Sequence, residues 1–409
     1  MEKQLIPQLR FPAFERKWES KKLGDVGVFK GGGTPSTNNT DYWVGNIPWI
    51  SSSDVKENDI INIDITRYLS EKAVDDSAAK LIPKNSVLFV SRVGVGKLFV
   101  SKKDLCTSQD FANLIPKKDN SYYIAYYFLS RSKLLHQYAQ GTSIKGFTTG
   151  DLKSIPINIP LIEEQQKIAS FLTDVDDKIT KLTKKKSLLE QYKKGIMQKI
   201  FNQELRFKDD DGNVFPKWKT KRLGDLGSTL NGLTGKTKEN FGSGKPYIQY
   251  KQIFDSSKIN IDNCGLVDIT ITDKQTKVQY GDVFFTTSSE TPNEIGTASV
   301  LLDNVKEMYL NSFCFGFRVN QLDLYPAFSQ FLFRSIDFRK KMIPLAQGST
   351  RYNISKSAFV KLKVSLPNIE EQTKIANFLS DIDVKIEALN TKIEHSKSFK
   401  KGLLQKMFV

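Results

Sequence analysis

Residues 162–179 read IEEQQKIASFLTDVDDKI, and residues 369–386 read IEEQTKIANFLSDIDVKI. Two passages this alike in one chain of 409 residues mean that a unit is written twice. The match runs without a gap from 139–201 to 346–408, an offset of 207. It takes in AQGTS against AQGST at its front and YKKGIMQKIF against FKKGLLQKMF at its back. A second pair opens each half: LRFPAFERKWESKKLGDVG from Leu9 and LRFKDDDGNVFPKWKTKRLGDLG from Leu205. Trp18 thereby corresponds to Trp218, and Leu23-Gly24-Asp25 to Leu223-Gly224-Asp225. Between these signatures the halves diverge strongly, which is the pattern of one scaffold carrying two different readouts. A period of about 200 residues is far longer than the roughly 20–50 of a solenoid.

The shared passages predict long helices. In the first, Ile168, Leu172, Val175, Ile179, Leu182, Leu189, Ile196 and Ile200 recur at gaps of three and four or their sums, a heptad seam with Lys186 and Lys193 at two seam positions. The second keeps the register with Ile375, Leu379, Ile382, Ile386, Leu389, Ile393, Leu403 and Met407, interrupted by Ser396 and Lys400. Pro160 and Pro367 stand just ahead of the starts, and Glu163-Glu164 and Glu370-Glu371 fall in the first turn, where carboxylates suit the positive helix end. Each helix would run ~40 residues, or ~60 Å. A seam accepts any apolar partner, so a foreign helix is one reading. Mutual pairing is favoured because both seams lie in one chain in matching register. If a pseudo-two-fold axis relates the halves across that pair, the helices run antiparallel.

The regions between, roughly 15–159 and 215–366, hold short apolar or alternating runs bounded by Gly, Pro or Asn, such as Ser86–Val90, Ile155–Ile159, Asp282–Phe285 and Leu362–Leu366. Tyr122–Leu135 and Tyr325–Met342 read as amphipathic helices. The fold class expected is α+β: two similar lobes separated by a pair of long, antiparallel, coiled-coil-like helices, with a pseudo-two-fold internal repeat. The expected division is 1–159, 160–203, 204–366 and 367–409.

The net charge is +16 with a pI near 9.4, which points to a polyanion such as nucleic acid. Segment 160–203 has nine Lys against six Asp and Glu, and 367–409 has seven against six, so +12 of the excess lies outside the helices. No run approaches the length of a membrane helix and the N-terminus lacks a signal peptide's apolar stretch, so the expected compartment is the cytoplasm. Cys106, Cys264 and Cys314 are scattered and odd in number, which argues against a disulfide framework or a zinc site. His136 and His395 have no neighbouring Cys or His, so no metal is expected.

Enzyme signatures are thin. Thr234-Gly235-Lys236-Thr237 lacks the Gly that a phosphate loop needs at the position of Leu230, and Gly94-Val95-Gly96-Lys97 reads as a tight turn between strands. Asp176–Lys178 and Asp383–Lys385 echo a nuclease Asp-x-Lys, but a solvated helix face accounts for them. There is no Gly-x-Ser-x-Gly elbow and no Asn-Pro-Pro-Tyr element for a flipped base. A basic chain with two diverged lobes and no catalytic set is a reader.

The order of variable lobe, IPLIEEQQKIASFL, long helix, second variable lobe and NIEEQTKIANFL resembles the specificity subunit of type I restriction-modification enzymes. GGGTPSTNNTDYWVGNIPWISSSDV (Gly31–Val55) and LFVSRVGVGKLFV (Leu88–Val100) are similar to stretches of that family's target-recognition domains. The resemblance covers nearly the whole chain. It implies that 1–159 and 204–366 are target-recognition domains, each binding half of a split sequence in double-stranded DNA. The repeated helices would set the spacer and dock two methylation subunits, joined by two restriction subunits. It further implies no cofactor in this chain: S-adenosylmethionine, ATP and Mg would be bound by the partners, which do the chemistry. A stand-alone DNA-binding regulator and an interaction scaffold for something other than DNA are the rival classes.

Phosphate contacts position such a protein and base-edge contacts give it specificity. Candidate DNA-binding residues in the first lobe are Ser36, Thr37, Asn38, Ser51, Ser52, Ser53, Arg92, Lys97 and Lys145. The second lobe offers Asn231, Thr234, Lys236, Lys251, Gln252, Thr287, Ser288, Arg351, Tyr352 and Asn353. Lys145 and Arg351 stand out because they lie in matching loops, one residue apart in the alignment. Gly31–Gly33 are expected to let the backbone turn or approach closely, and Trp43 and Trp49 to be core.

Overall fold

The computed structural model describes residues 5–139, 146–320 and 322–409. It divides into two compact units, Met1–Lys184 with Leu389–Val409, and Lys185–Ala388. Both shared passages are single continuous helices, Ile162–Phe201 of 40 residues and Ile369–Met407 of 39. Each unit therefore holds one lobe, the opening half of the helix that follows it and the closing half of the other helix.

Within each unit the two helix halves run antiparallel, and the first unit shows how. Trp18 donates to Glu164 at 3.3 Å and meets Phe408 edge-on at 6.3 Å, while Asp176 pairs with Lys400 at 2.6 Å. The number rises along one helix as it falls along the other. In the second unit Trp218 donates to Glu371 at 3.2 Å and packs on Phe201 at 6.2 Å, while Lys193 pairs with Asp383 at 2.5 Å. Asp176 and Asp383 are equivalent under the 207-residue offset, and so are Lys193 and Lys400. One ion pair is thus made twice. The reading of a solvated face is overturned at Asp176, whose side chain is only 12% exposed and also accepts from Tyr126 Oη at 2.7 Å, while Asp383 is wetter and Lys178 and Lys385 are exposed.

The seam holds along both helices. Ile168, Leu172 and Ile200 are buried and Val175, Ile179 and Leu182 half-buried in the first; Ile375, Leu379, Ile382 and Leu389 are buried and Ile386 half-buried in the second. Much of it packs on lobes as well as helix. Ile168 and Leu172 share a core with Tyr123, Tyr126 and Phe128 of the first lobe and with Leu403, Met407 and Phe408. Ile375, Leu379 and Ile382 share one with Ile200 and with Phe328, Phe331 and Phe333 of the second lobe. At ~1.5–3 kcal/mol for each large apolar side chain buried, these cores weld every lobe to its helices.

The sequence motif Glu-Glu-Gln makes the joint. Glu164 takes Arg10 at 2.8 Å, and Gln165 receives the Asn120 backbone at 2.9 Å and donates to Asp119 and the Pro160 carbonyl. Glu371 takes Arg206 at 2.7 Å, and Gln372 receives the Tyr325 backbone at 2.8 Å and donates to the Asp323 and Pro367 carbonyls. So the second Glu of each motif is a buried ion-pair partner as well as a helix-start acid.

Both lobes have the same plan. In the first, Gly27–Gly31, Phe111–Pro116, Val87–Val90 and Leu98–Val100 lie side by side in that order as an antiparallel sheet. In the second, Gly227–Asn231, Cys314–Val319, Val283–Thr286 and Ala298–Val300 repeat it. A second sheet in each contains one parallel pair, Ile47–Ile50 with Leu105–Thr107 and Phe241–Ile248 with Tyr309–Leu310. A short antiparallel ladder closes each lobe beside its long helix, Glu19–Lys22 with Pro156–Ile159 and Lys219–Arg222 with Lys363–Leu366. The α+β expectation therefore stands.

The two amphipathic helices are each broken. Ser121–Ser130 and Ser132–Tyr138 replace the first, with Arg131 at φ −123° and ψ 37° between them. Pro326–Leu332 and Ile336–Met342 replace the second, the latter capped by the Ser335 hydroxyl. The apolar spacing runs through both breaks because both pieces pack on one core, so periodicity alone missed the caps. Trp49 is buried as expected, whereas Trp43 is half-buried against it at 5.1 Å.

Candidate nucleic-acid interface

At one end of each four-stranded sheet three strand ends come together, Gly31, Val90 and Phe111 in the first lobe and Asn231, Thr286 and Cys314 in the second. The next residue after the inner strand is then tied down the same way twice. Ser91 N donates to the Asp110 carbonyl at 2.7 Å, and Thr287 N to the Phe313 carbonyl at 3.0 Å. A distant segment crosses over it: Phe147 N donates to Ser91 O at 3.1 Å, and Ile354 N to Thr287 O at 3.2 Å. Phe147 and Ile354 are equivalent residues of the repeat. One backbone frame therefore presents loops from four separate parts of each lobe.

Gly32 and Gly232 show how tightly the frame is drawn. A Cβ on Gly32 would stand 2.0 Å from the Ser108 carbonyl oxygen, and one on Gly232 2.1 Å from that of Asn311. Gly33 would meet the Ala78 carbonyl at 1.9 Å, while Gly31 has open space. Close approach thus accounts for the second and third glycines of the run. The turn between Val90 and Leu98 is as expected, with Gly94 and Gly96 at φ +100° and +97°.

The candidates distribute unevenly over this frame. Ser36, Thr37 and Asn38 are exposed on the loop beyond Gly33; Arg92 is exposed and Lys97 half-buried in the turn after Val90. Lys145 lies outside the described residues. Ser52 is buried, and the Ser51 hydroxyl is engaged by Arg67 at 2.8 Å, Ser53 at 2.8 Å and Asp54 at 3.1 Å. Ser51 caps the short turn Ser52–Asp54, to which the other two serines belong.

In the second lobe Thr287, Ser288, Arg351, Tyr352 and Asn353 are brought together, since Ser288–Ser289 pairs antiparallel with Tyr352–Asn353. Arg351 and Asn353 are exposed and Tyr352 is half-buried. Asn231 joins them at the strand end and accepts from Lys356 Nζ. Burial holds the Lys356 ammonium below its usual range. Thr234 and Lys236 are bound instead to the 270–277 loop, Thr234 through Gln275 and Lys236 through Asp273 at 2.6 Å. The hydrogen bond from Lys236 lowers the Asp273 carboxyl to about 2. Lys251 pairs with Asp255 on its own short helix, and Gln252 donates to the Asn260 and Asn263 carbonyls at 3.0 and 2.6 Å, a loop clamp.

Sequence reasoning missed Gln109, Asp110, Tyr250, Phe313 and Lys356. Gln109 receives Thr34 Oγ1 at 2.5 Å, and Tyr250 Oη donates to Ser288 O at 2.8 Å. The signal for Asp110 and Phe313 is faint, each being the residue just before an aligned strand in an otherwise diverged stretch. Chemically the edge offers guanidinium groups and side-chain amides that suit phosphates and base edges. Among the described residues no helix is long and apolar enough to cross a membrane.

A family model described as the type I restriction modification DNA specificity domain matches the chain twice, over residues 15–191 and 216–395. The chain belongs to that family. Among relatives of this type I specificity family, the MjaIX specificity subunit of Methanocaldococcus jannaschii is 34% identical over 256 residues, which is 58% of each chain. The MjaVIII specificity subunit of the same organism is 24% identical across 95% of this chain and 91% of that one. The crystal structure of a type I restriction-modification S subunit from M. genitalium superposes with a TM-score of 0.63 over 99% of both chains, at 14% identity. That likeness carries the specificity-family fold; the exposed side chains at the two edges are this chain's own.

Proposed function

We propose that this chain is the sequence-specific DNA-binding subunit of a type I restriction-modification complex, acting in the cytoplasm. Each lobe reads one half of a bipartite target through the edge of its four-stranded sheet. The paired helices set the spacer between half-sites and dock two methylation subunits, with two restriction subunits completing the assembly. Catalysis belongs to those partners, which bind S-adenosylmethionine, ATP and Mg. The observation that carries this reading is the doubled edge: one hydrogen-bonded frame at Ser91 and Thr287, dressed with different side chains. A duplicated enzyme would repeat its reactive groups, whereas a duplicated reader repeats its frame and varies its contacts.

Methylome sequencing of a host carrying the chain with its methylation partner tests it. The expected result is a single split motif, modified on adenine, that vanishes when this chain is deleted. Tight specific binding by the chain alone, with no dependence of methylation on it, would favour a stand-alone regulator. No DNA binding at all would leave the scaffold reading.

A further inference from the structure

Phe313 is 59% exposed, yet its backbone is held on both sides by hydrogen bonds. Its N–H donates to Asn311 Oδ1 at 2.8 Å, its carbonyl receives Thr287 N at 3.0 Å, and Cys314 N closes the turn onto Asn311 O at 3.1 Å. A ring on a floppy loop would be an ordinary surface hydrophobe. This ring is instead carried on a fixed turn at the end of the sheet, directly across from Thr287 and just before the strand that pairs with Asn231. In the first lobe the equivalent place, whose carbonyl receives Ser91 N, is occupied by Asp110. The frame is kept and the chemistry is exchanged, an apolar face for a carboxylate.

In the major groove the one apolar feature on any base edge is the thymine 5-methyl group, and a phenylalanine is among the side chains that meet it. A carboxylate in the same place can only accept, which suits the exocyclic amino group of cytosine or adenine. We infer that Phe313 reads a thymine methyl in the half-site of the second lobe, and that this turn is a position where the two lobes are tuned to different bases. The inference rests on the DNA-reading function proposed above.

The test uses the full chain with its methylation partner and duplexes of the mapped target. Each thymine of the second half-site is replaced in turn by uracil, which lacks only the methyl group. One replacement should weaken binding about fourfold, the equivalent of ~0.8 kcal/mol for one methyl-sized group removed from water. With Phe313→Ala that uracil effect should disappear, while Phe313→Leu should keep it. Uracils in the first half-site should behave alike with all three proteins. A second half-site without thymine on either strand, or uracil effects identical in the wild type and Phe313→Ala, overturns the inference and leaves DNA reading intact. Loss of any split target would instead remove the underlying function.

Discussion

Glu371 has no exposed surface, and it receives Arg206 Nε at 2.7 Å, Arg206 Nη2 at 2.8 Å and Trp218 Nε1 at 3.2 Å. Arg10, Glu164 and Trp18 repeat the arrangement in the first unit. Such a pair gains little over an apolar contact while intact, but breaking it strands a charge out of water. Arg206→Met should therefore destabilise the chain by ~3–5 kcal/mol in urea unfolding. The double change Arg206→Met with Glu371→Leu should recover most of that loss. A single change costing no more than a surface ion pair would show that water reaches Glu371. Asp273 allows a second check at the same scale. Its folded carboxyl titrates at about 2, below its unfolded value, so the stabilisation it lends is complete above pH ~4 and is lost as pH falls toward 2. In the Lys236→Met variant an NMR titration of Asp273 should move up toward the ordinary aspartate range. An unmoved midpoint would assign the depression to the Thr270 backbone and hydroxyl hydrogen bonds alone.

At the scale of elements, the polar interruptions of the seam have a role. Lys400 meets Asp176 with both side chains nearly buried, 10% and 12% exposed, and its ammonium lies 5.6 Å from the Tyr126 ring. Its repeat equivalent, Lys193 with Asp383, is wetter at 18% and 33%. A shift by one turn would separate the partners of both pairs, which is how a polar pair inside a helix seam specifies register. Lys400→Met should accordingly cost ~3 kcal/mol and Lys193→Met nearer ~1. Equal losses would mean that burial does not rank the two sites. The seam itself was legible because a period near 3.6 registers whatever covers it. Lys193 and Lys400 were visible only as gaps in it, since naming their partners requires the antiparallel register that folding supplies. The same limit applies at the edge. Arg351 stood out through the repeat, but Lys356 and Phe313 acquire meaning only beside Asn231 and Thr287, residues far from them in sequence.

For the molecule as a whole, each unit has its own core, its own Arg–Glu–Trp joint and its own helix ion pair, so a lobe is fastened to its helices by a shared apolar core and a short set of polar contacts. In the first unit Trp18 reaches Glu164, Asp119 and the Asn120 backbone reach Gln165, Tyr126 reaches Asp176, and Asn158 Nδ2 donates to the Val409 carbonyl at 2.7 Å. None of these residues belongs to the loops of the sheet edge. Fastening and reading are therefore separable, and residues 15–159 can be exchanged for a foreign first lobe provided those contacts are kept. The exchange should change one half of the methylated motif and leave the other as it was, with the spacer unaltered. Methylome sequencing of the hybrid with the same methylation partner decides the matter. A hybrid that loses Trp18 or Tyr126 should fail through instability, with an earlier thermal transition and no methylation of any site. A stable hybrid that alters both halves of the motif would mean that the lobes do not read independently.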